Sequence, residues 1–457
     1  MRNPNRNYDV IVVGAGAAGC LFSRNLAREG YSVCMVEKSD LNKLSHDWWD
    51  LVATYIFDKV DINQPESDEL FKVGEGIFCS PLDSIQVKSP PTDAHYNIDR
   101  RKFTIRLLNE AIENGVNFCD NINVIGPIVE EKTHTIIGVK LDNSKAIKAK
   151  LIVDCSGYEG VIRFNSPFET DFDKNIRRED TFVTYREIRK KLPSVSDSHG
   201  IVFVGKHQGI SWVSFQQDNY VDFFGGHTDL SSINISPKVM VYELIEKYKN
   251  KCGTEIVLGG YEAPIPLRRA LDSFVANGLI IIGDAACQVD PSTGSGIASS
   301  LFAANIASKV ALNALEIDST KKEDLWSYNV EYHRSELNQE YSPNDIAIKN
   351  FSNLSEEEVE YMCANDIIDL RRFWGAKATI IKKEKYRPKI SVRSKILANL
   401  ARFAETDRKI EEMKELCREY PEEYNPETFN AWREKINKCY IVRYDLDKKP
   451  ESELIVS

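Results

Sequence analysis

The sequence predicts an α/β fold joined to an antiparallel β region, on three observations. An apolar strand runs straight into Gly14-Ala15-Gly16-Ala17-Ala18-Gly19 and a helix. The middle of the chain is rich in β-branched and aromatic residues in short runs, as in "GIVFVG", "ISWVSF" and "YVDFFGG", which is strand composition. A second apolar strand, "GLIIIGDA", then leads into a small-residue helix, and a charged helical pattern follows to the end.

The first element is a βαβ unit. "YDVIVVG" gives a buried strand, Ala18, Leu21, Phe22 and Leu26 recur at helical spacing, Gly30 stops the helix, and "YSVCMVE" is the second strand. In such a unit Gly14 permits the tight turn, Gly16 lets backbone N–H groups approach a pyrophosphate, and Gly19 allows close helix–strand packing. The helix start at Ala17 and Ala18 faces the phosphates with its positive end. Glu37, closing the second strand, is placed to accept hydrogen bonds from a ribose. The segment "SHDWWDLVATYIFDKV" follows, and its Trp49, Val52, Ile56 and Phe57 predict the buried face of a short helix, with Asp47 near its N-terminus. "DRRKFTIRLLNEAIENG" predicts an amphipathic helix over 99–115, and short strands lead to "LIVDCSG". From about Phe164 to Pro266 the pattern is mainly strand-like, a long helix begins near Gly296, and the chain is helical beyond about Glu323.

Composition bounds the function. With 457 residues, 42% hydrophobic and 28% charged, the chain is globular and long enough for two or three domains. A net charge of −10 argues against a nucleic-acid binder, which needs clustered positive surface. The ten cysteines form no CxxC pair, and the histidines show no metal-ligand spacing; they read as buried thiols and surface or loop residues, with no metal site. Cys287 reads as a packed thiol. No apolar signal region opens the sequence, and no window reaches the roughly 20 apolar residues of a membrane span. A cytoplasmic protein with at most peripheral membrane contact is expected.

The second glycine-bearing segment selects between cofactors. In "LIIIGDAACQVDPSTGSGIASSLFAAN", Gly283-Asp284 ends a strand, where Asp284 can hold the hydroxyls of a ribityl chain. The loop from Pro291 through Gly294, Ser295 and Gly296 has no bulky side chain, so a planar ring can lie against it. The helix start at Ile297 can then stabilise negative charge on that ring.

This "GDAA…P.TG.GI" segment, paired with the first fingerprint, resembles that of FAD enzymes with the p-hydroxybenzoate hydroxylase fold, and within them the geranylgeranyl reductase family. "DRRKF", "VDCSG", "IPLRRALDSFVANGLIIIGDAA", "LSEEEVEYM" and "YPEEYNPETFNAWREKI" carry the resemblance over most of the chain. It implies a discontinuous FAD-binding domain of residues 1–80, 96–165 and 270–325. A substrate-binding antiparallel sheet would take 81–95 and 166–269, and a helical extension 326–457. Lys38, Arg100 and the backbone near Val124 would join Gly14–Gly19 and Glu37 around the adenosine diphosphate portion of FAD. Asp284 would meet the ribityl–diphosphate region, and Pro291–Ile297 the isoalloxazine. The expected activity is reduction of carbon–carbon double bonds in an isoprenoid or lipid-like substrate by hydride transfer from reduced flavin. Only one dinucleotide fold is visible, so electrons are expected from an external donor, NAD(P)H or a ferredoxin-like protein. The alternatives are a flavin monooxygenase or halogenase on the same fold, or a flavin electron carrier without turnover.

On the substrate side this sequence departs from the family. "GISWVSF" keeps Trp212 of a Tyr-x-Trp-x-Phe-Pro stretch but has Ile210 for the tyrosine. Trp48 and Trp49 stand where a Cys-Gly-Asp turn ending at Asp50 is expected. His46 could relay protons near neutral pH, oriented by Asp47 or Asp50, and Trp48 could stack on flavin or an apolar substrate. His46 and Trp48 are expected at the chamber wall. Phe203, Trp212, Phe215, Tyr220, Phe223 and Phe224 either line a tunnel or fill the sheet's core, with core the expectation for at least half.

Overall fold

The computed structural model describes residues 7–440 except 73, 92, 216–218, 231, 374–377 and 388–389. Its first large sheet is built on parallel pairing. Tyr8–Val13 lies between Val33–Val36 and Ala146–Asp154; Leu279–Ile281 flanks Ala146–Asp154, and Asn117–Cys119 flanks Val33–Val36. Val10 to Val13 and Val33 to Val36 are all buried, as expected of strands covered on both faces. An antiparallel meander, Val124–Glu130 and Thr135–Leu141, feeds into Ala146–Asp154. The helices Ala17–Arg28, Arg100–Glu113 and Ile297–Glu316 pack into the same core. Their starts match the sequence reading, and Asp99 caps the second by accepting from the Lys102 N–H.

The second large sheet is antiparallel except for one pairing. Its order is Cys252–Glu262, Thr181–Lys191, Tyr220–Thr228, Gly209–Phe215, His199–Val204, Glu75–Cys79, Ile85–Ser89 and Thr379–Lys383. Cross-strand partners form one transverse row: Tyr261, Arg186, Phe224, Trp212, Val202, Phe78, Val87 and Ile380. Alternate residues point to opposite faces. The other face, with Tyr185, Phe203, Val213, Phe215 and Phe223, is covered by the helix Pro237–Tyr248. That helix is absent from the strand-like reading of 164–266, although Ser236-Pro237 is a start signal and Met240, Val241, Leu244 and Ile245 supply its apolar stripe. The far half of the row is covered by Glu356–Ala364, through Val359 and Met362.

Two further readings change. Trp49 and Val52 lie on a strand, Trp49–Ala53, paired with His95–Asp99, and only Ile56 and Phe57 are helical, in Tyr55–Lys59. The expected helix over 49–57 splits because Trp49 and Val52 are buried from a strand edge tied to the helix that follows Asp99. The helical tail is interrupted by Thr379–Lys383, which adds an edge strand to the second sheet. No described helix is long and apolar enough to cross a membrane.

Within the tail, His333 is stacked between Phe274 and Tyr420, with centroids at 4.8 and 4.3 Å, and its Nε2 has no hydrogen-bond partner among the described residues. Burial pushes its pKa down to about 3, against a smaller upward pull from Asp272. The unfolded histidine titrates near 6.5, so below that pH the unfolded chain binds a proton that the folded chain refuses. Stability is therefore expected to fall between about pH 6.5 and about pH 3, by about 2 kcal/mol at about pH 5. His333→Phe, which keeps the stacked ring, should flatten that part of the melting-temperature profile; an unchanged acid slope would contradict the assignment.

Candidate active site

The site is set by three parallel strands ending side by side. Val13 is in register with Asp154, and Asp154 with Ile281, so the turns at Gly14 and Gly283 leave the same edge of the sheet. A Cβ placed on Gly283 would lie 3.8 Å from the Ala18 Cβ. Two segments far apart in sequence thus face each other. Gly14, at φ +101°, turns so tightly that a Cβ would overlap the Cys155 carbonyl, and a Cβ on Gly19 would overlap the Gly14 carbonyl. Gly16 is different, since nothing lies within 4 Å of its Cβ direction. Open space therefore borders the start of the Ala17–Arg28 helix, which has neither a side-chain cap nor an acidic first turn. The Ile297–Glu316 helix starts in the same way at Gly296. Uncapped N–H groups at two converging helix starts suit an anionic ligand.

The acidic residues divide by partner. Glu37 accepts from the Ala15 N–H at 2.9 Å and the Ser39 N–H at 2.8 Å, which fixes it beside the first turn. Lys38 pairs with Glu159. Val124 is buried at the start of its strand, and the nearby Ile122 N–H reaches the Glu37 carbonyl. The carboxylate of Asp284 has no hydrogen-bond partner among the described residues, and burial raises its pKa, partly offset by Arg100. An unpartnered carboxylate beside Gly296, where a Cβ would sit 3.0 Å from its Oδ1, needs donors from outside the chain. Asp154, by contrast, is used up in structure: it accepts from the N–H groups of Ser156, Ile162 and Arg163. Asp290 shapes the Pro291–Gly294 loop by accepting from the Ser292 N–H, both hydroxyls of Ser292 and Thr293, and the Asn344 amide. The Ser295 N–H turns back to the Thr293 hydroxyl. Cys287 is buried, its thiol pushed up to about 11 by burial. These features fit a flavin dinucleotide: space and N–H groups for phosphates, and an idle carboxylate for hydroxyls.

On the substrate side the unforeseen centre is Arg186. It holds Asp222 with two nitrogens, at 2.9 and 2.8 Å, and Asp50 with the third, at 3.1 Å. Asp50 also takes Arg100 at 3.0 Å, and Asp222 takes the Trp212 indole N–H at 3.1 Å. The rings of Trp48, Trp49 and Trp212 surround the guanidinium at 5.4, 6.0 and 5.6 Å. Arg100 therefore reaches across to Asp50. Arg186, amid the strand "TFVTYREIRKK", and a lone aspartate in "YVDFFGG" were the available signals for this pair.

His46 stacks on Trp48 at 4.2 Å, and Trp48 on Tyr261 at 4.9 Å. Neither Asp47 nor Asp50 orients His46, contrary to the sequence reading. Its Nδ1 lies 3.1 Å from the Tyr261 hydroxyl, while Asp47 accepts from Tyr261 and from the Gly259 N–H, both at 3.1 Å. Burial, with Arg100, Arg186 and Arg101 adding to it, pushes the His46 pKa down to about 2. The ring stays neutral at physiological pH, so it can act there only as a neutral donor or acceptor. Of the six aromatic strand residues, Phe203, Phe215 and Phe223 fill the core under the helix. Trp212 and Phe224 stack at 3.8 Å on the opposite face, and Tyr220 packs near Trp49.

Comparison with known proteins bears on the fold that carries this site. Residues 9–170 match the family model described as lycopene cyclase protein. The digeranylgeranylglycerophospholipid reductase of Sulfolobus acidocaldarius is 24% identical over 94% of this chain and 96% of its own. Among solved structures, a geranylgeranyl bacteriochlorophyll reductase-like protein of Thermoplasma acidophilum superposes with a TM-score of 0.70 at 18% identity, covering 89% of this chain and all but 1% of its own. A myxobacterial FAD-dependent chondrochloren halogenase follows at 0.59 and 17%, covering 91% and 97%. The chain is therefore similar over nearly its whole length to geranylgeranyl-type reductases, as its two glycine motifs and its tail predict, and it carries the fold of FAD-dependent oxidoreductases of the p-hydroxybenzoate hydroxylase type.

Proposed function

We propose that the protein is an FAD-dependent reductase of carbon–carbon double bonds in an isoprenoid or lipid-like substrate. The observation that carries this reading is the convergence of the Gly14 and Gly283 turns, in a chain similar from end to end to a lipid reductase. Bound there, FAD would supply the hydride, replenished by an external donor, NAD(P)H or a ferredoxin-like protein. The Gly14–Gly19 turn and the N–H groups at Ala17 and Ala18 would hold the diphosphate, with Glu37, Lys38, Arg100 and the Val124 backbone around the adenosine and diphosphate portion. Gly283 and Asp284 would hold the ribityl hydroxyls, and Pro291, Gly294, Ser295, Gly296 and Ile297 the ring.

An isolated double bond accepts hydride only if a proton reaches its other carbon, because no carbonyl polarises it. Tyr261 is the proton donor of this reading: it is 37% exposed and its hydroxyl is held between His46 and Asp47, although burial and the Asp47 carboxylate raise its pKa above the ordinary phenol value. Neutral His46 and Asp47 position that proton, while Trp48, stacked on Tyr261 at 4.9 Å, presents apolar ring surface beside it and Trp212 adds another three strands along the same row. Arg186 serves these rings as a scaffold, its donors being committed to Asp50 and Asp222.

The test is to reduce the purified flavoprotein without oxygen, then add either a polyprenyl lipid or oxygen. Reoxidation by the lipid, with saturated product, is expected; reoxidation by oxygen with an oxygenated product instead would overturn the reading. Glu37→Ala and Asp284→Ala should each purify with less FAD and release it more readily on dilution. Two fully yellow variants would remove these residues from the cofactor site.

A further inference from the structure

One edge of the second sheet differs in charge from the rest of the chain. From Thr379 to Lys395 the sequence holds seven Lys or Arg and one Glu, within a chain of net charge −10. The strand Thr379–Lys383 pairs with Ile85–Ser89 on one side, and no described strand pairs with the other. Its two adjacent isoleucines are open to solvent, Ile380 at 37% and Ile381 at 49%. The exposed Leu82 belongs to the neighbouring turn, whose Asp83 carbonyl accepts from Lys382. Lys383 pairs with Asp366, and Lys382 lies near Asp83 and Glu384. Lys385, Arg387 and Lys395 are exposed and form no ion pair among the described residues. Lysines on a sheet edge ordinarily prevent edge-to-edge pairing. That role does not call for exposed isoleucines next to the charges, and apolar side chains followed closely in sequence by cations that form no ion pair among the described residues are the pattern of an interfacial surface.

We propose that this edge docks the protein on a bilayer containing anionic lipid. Ile380, Ile381 and Leu82 enter the headgroup boundary while Lys385, Arg387 and Lys395 lie against phosphate groups. The charge asymmetry also sets orientation, because an acidic chain is repelled by an anionic surface everywhere except at a basic face. Docked there, the transverse row from Ile380 leads across four strand spacings, roughly 19 Å, to Trp212. The proposal deepens the lipid-substrate reading and rests on it for its purpose, while its test is separate.

The full-length holoprotein is floated with vesicles of phosphatidylcholine alone or mixed with phosphatidylglycerol, at low and high salt. Wild type should bind the mixed vesicles, ignore the zwitterionic ones and be released by salt. The double variant Lys385→Glu with Arg387→Glu should bind about tenfold less or weaker still, and Ile381→Asp should also bind less. Unchanged melting temperature and flavin content in both variants show that folding is intact. Equal binding to both vesicle types, no binding by wild type, or full binding by the double variant would each overturn the surface. Reoxidation of reduced flavin by a detergent-dispersed polyprenyl lipid is measured in parallel. Vesicle binding without that reoxidation would sink the substrate reading and leave the surface standing; the reverse result would sink the surface alone.

Discussion

Gly14→Ala should unfold more easily than wild type by about 3 kcal/mol or more and purify without flavin. Two costs add. The residue holds φ at +101°, where a side chain is strained by roughly 1–3 kcal/mol, and the new Cβ overlaps the Cys155 carbonyl, which is fixed by the Cys155 N–H bond to Val13. Backbone cannot yield as a flexible side chain would. Gly16→Ala separates fold from function at the same turn. Its φ of −70° suits alanine and its Cβ meets nothing, so the melting temperature should hold while flavin retention drops, the methyl group taking space that the phosphates need. Thermal melts and flavin absorbance on both variants decide the matter. A Gly16→Ala protein that keeps all its flavin would show that no ligand approaches this turn.

Arg186→Leu should be the most damaging change on the substrate side, costing about 3–5 kcal/mol. Asp222 is buried and spends both carboxylate oxygens on Arg186, so the variant strands a charge in a low-dielectric setting. Asp50 keeps Arg100 and suffers less. Adding Asp222→Leu to Arg186→Leu removes the stranded charge and should recover part of the loss. If the double variant is as unstable as the sum of the two single changes, the three tryptophans rather than the ion pair carry the stability here. Denaturant midpoints for the four proteins give the coupling directly.

The two glycine-bearing turns were legible because their pattern is local in sequence. The spacing of Gly14, Gly16 and Gly19 between a strand and a helix, and of Gly283, Gly294 and Gly296 in the second turn, lies within a few residues, so Gly14–Gly19 and Gly283–Ile297 could be read directly, although the carbonyl that Gly14 must clear belongs to distant Cys155. The helix from Arg100, with its Asp99 cap, was readable for the same reason. The substrate side was not, because each of its groups acts through a partner on another strand. Asp50, Arg186 and Asp222 mean nothing singly and join only once the sheet sets them in register. His46 shows the limit from another direction: its ordinary titration range suggested a proton relay, and burial, with arginines from two distant segments adding to it, removes it. The Pro237–Tyr248 helix carried its own start signal but was masked by the strand-rich sequence around it.

The edge strand Thr379–Lys383 bears on how the chain is made. Its partner, Ile85–Ser89, leaves the ribosome nearly three hundred residues earlier, and until the tail emerges that partner presents an unpaired row of backbone groups. Biosynthesis therefore passes through a long interval in which the sheet is open, and pairings this remote in sequence form slowly. A chain released before residue 379 would keep that margin bare permanently, which makes premature termination in the tail a cause of clumping rather than of a merely shortened protein.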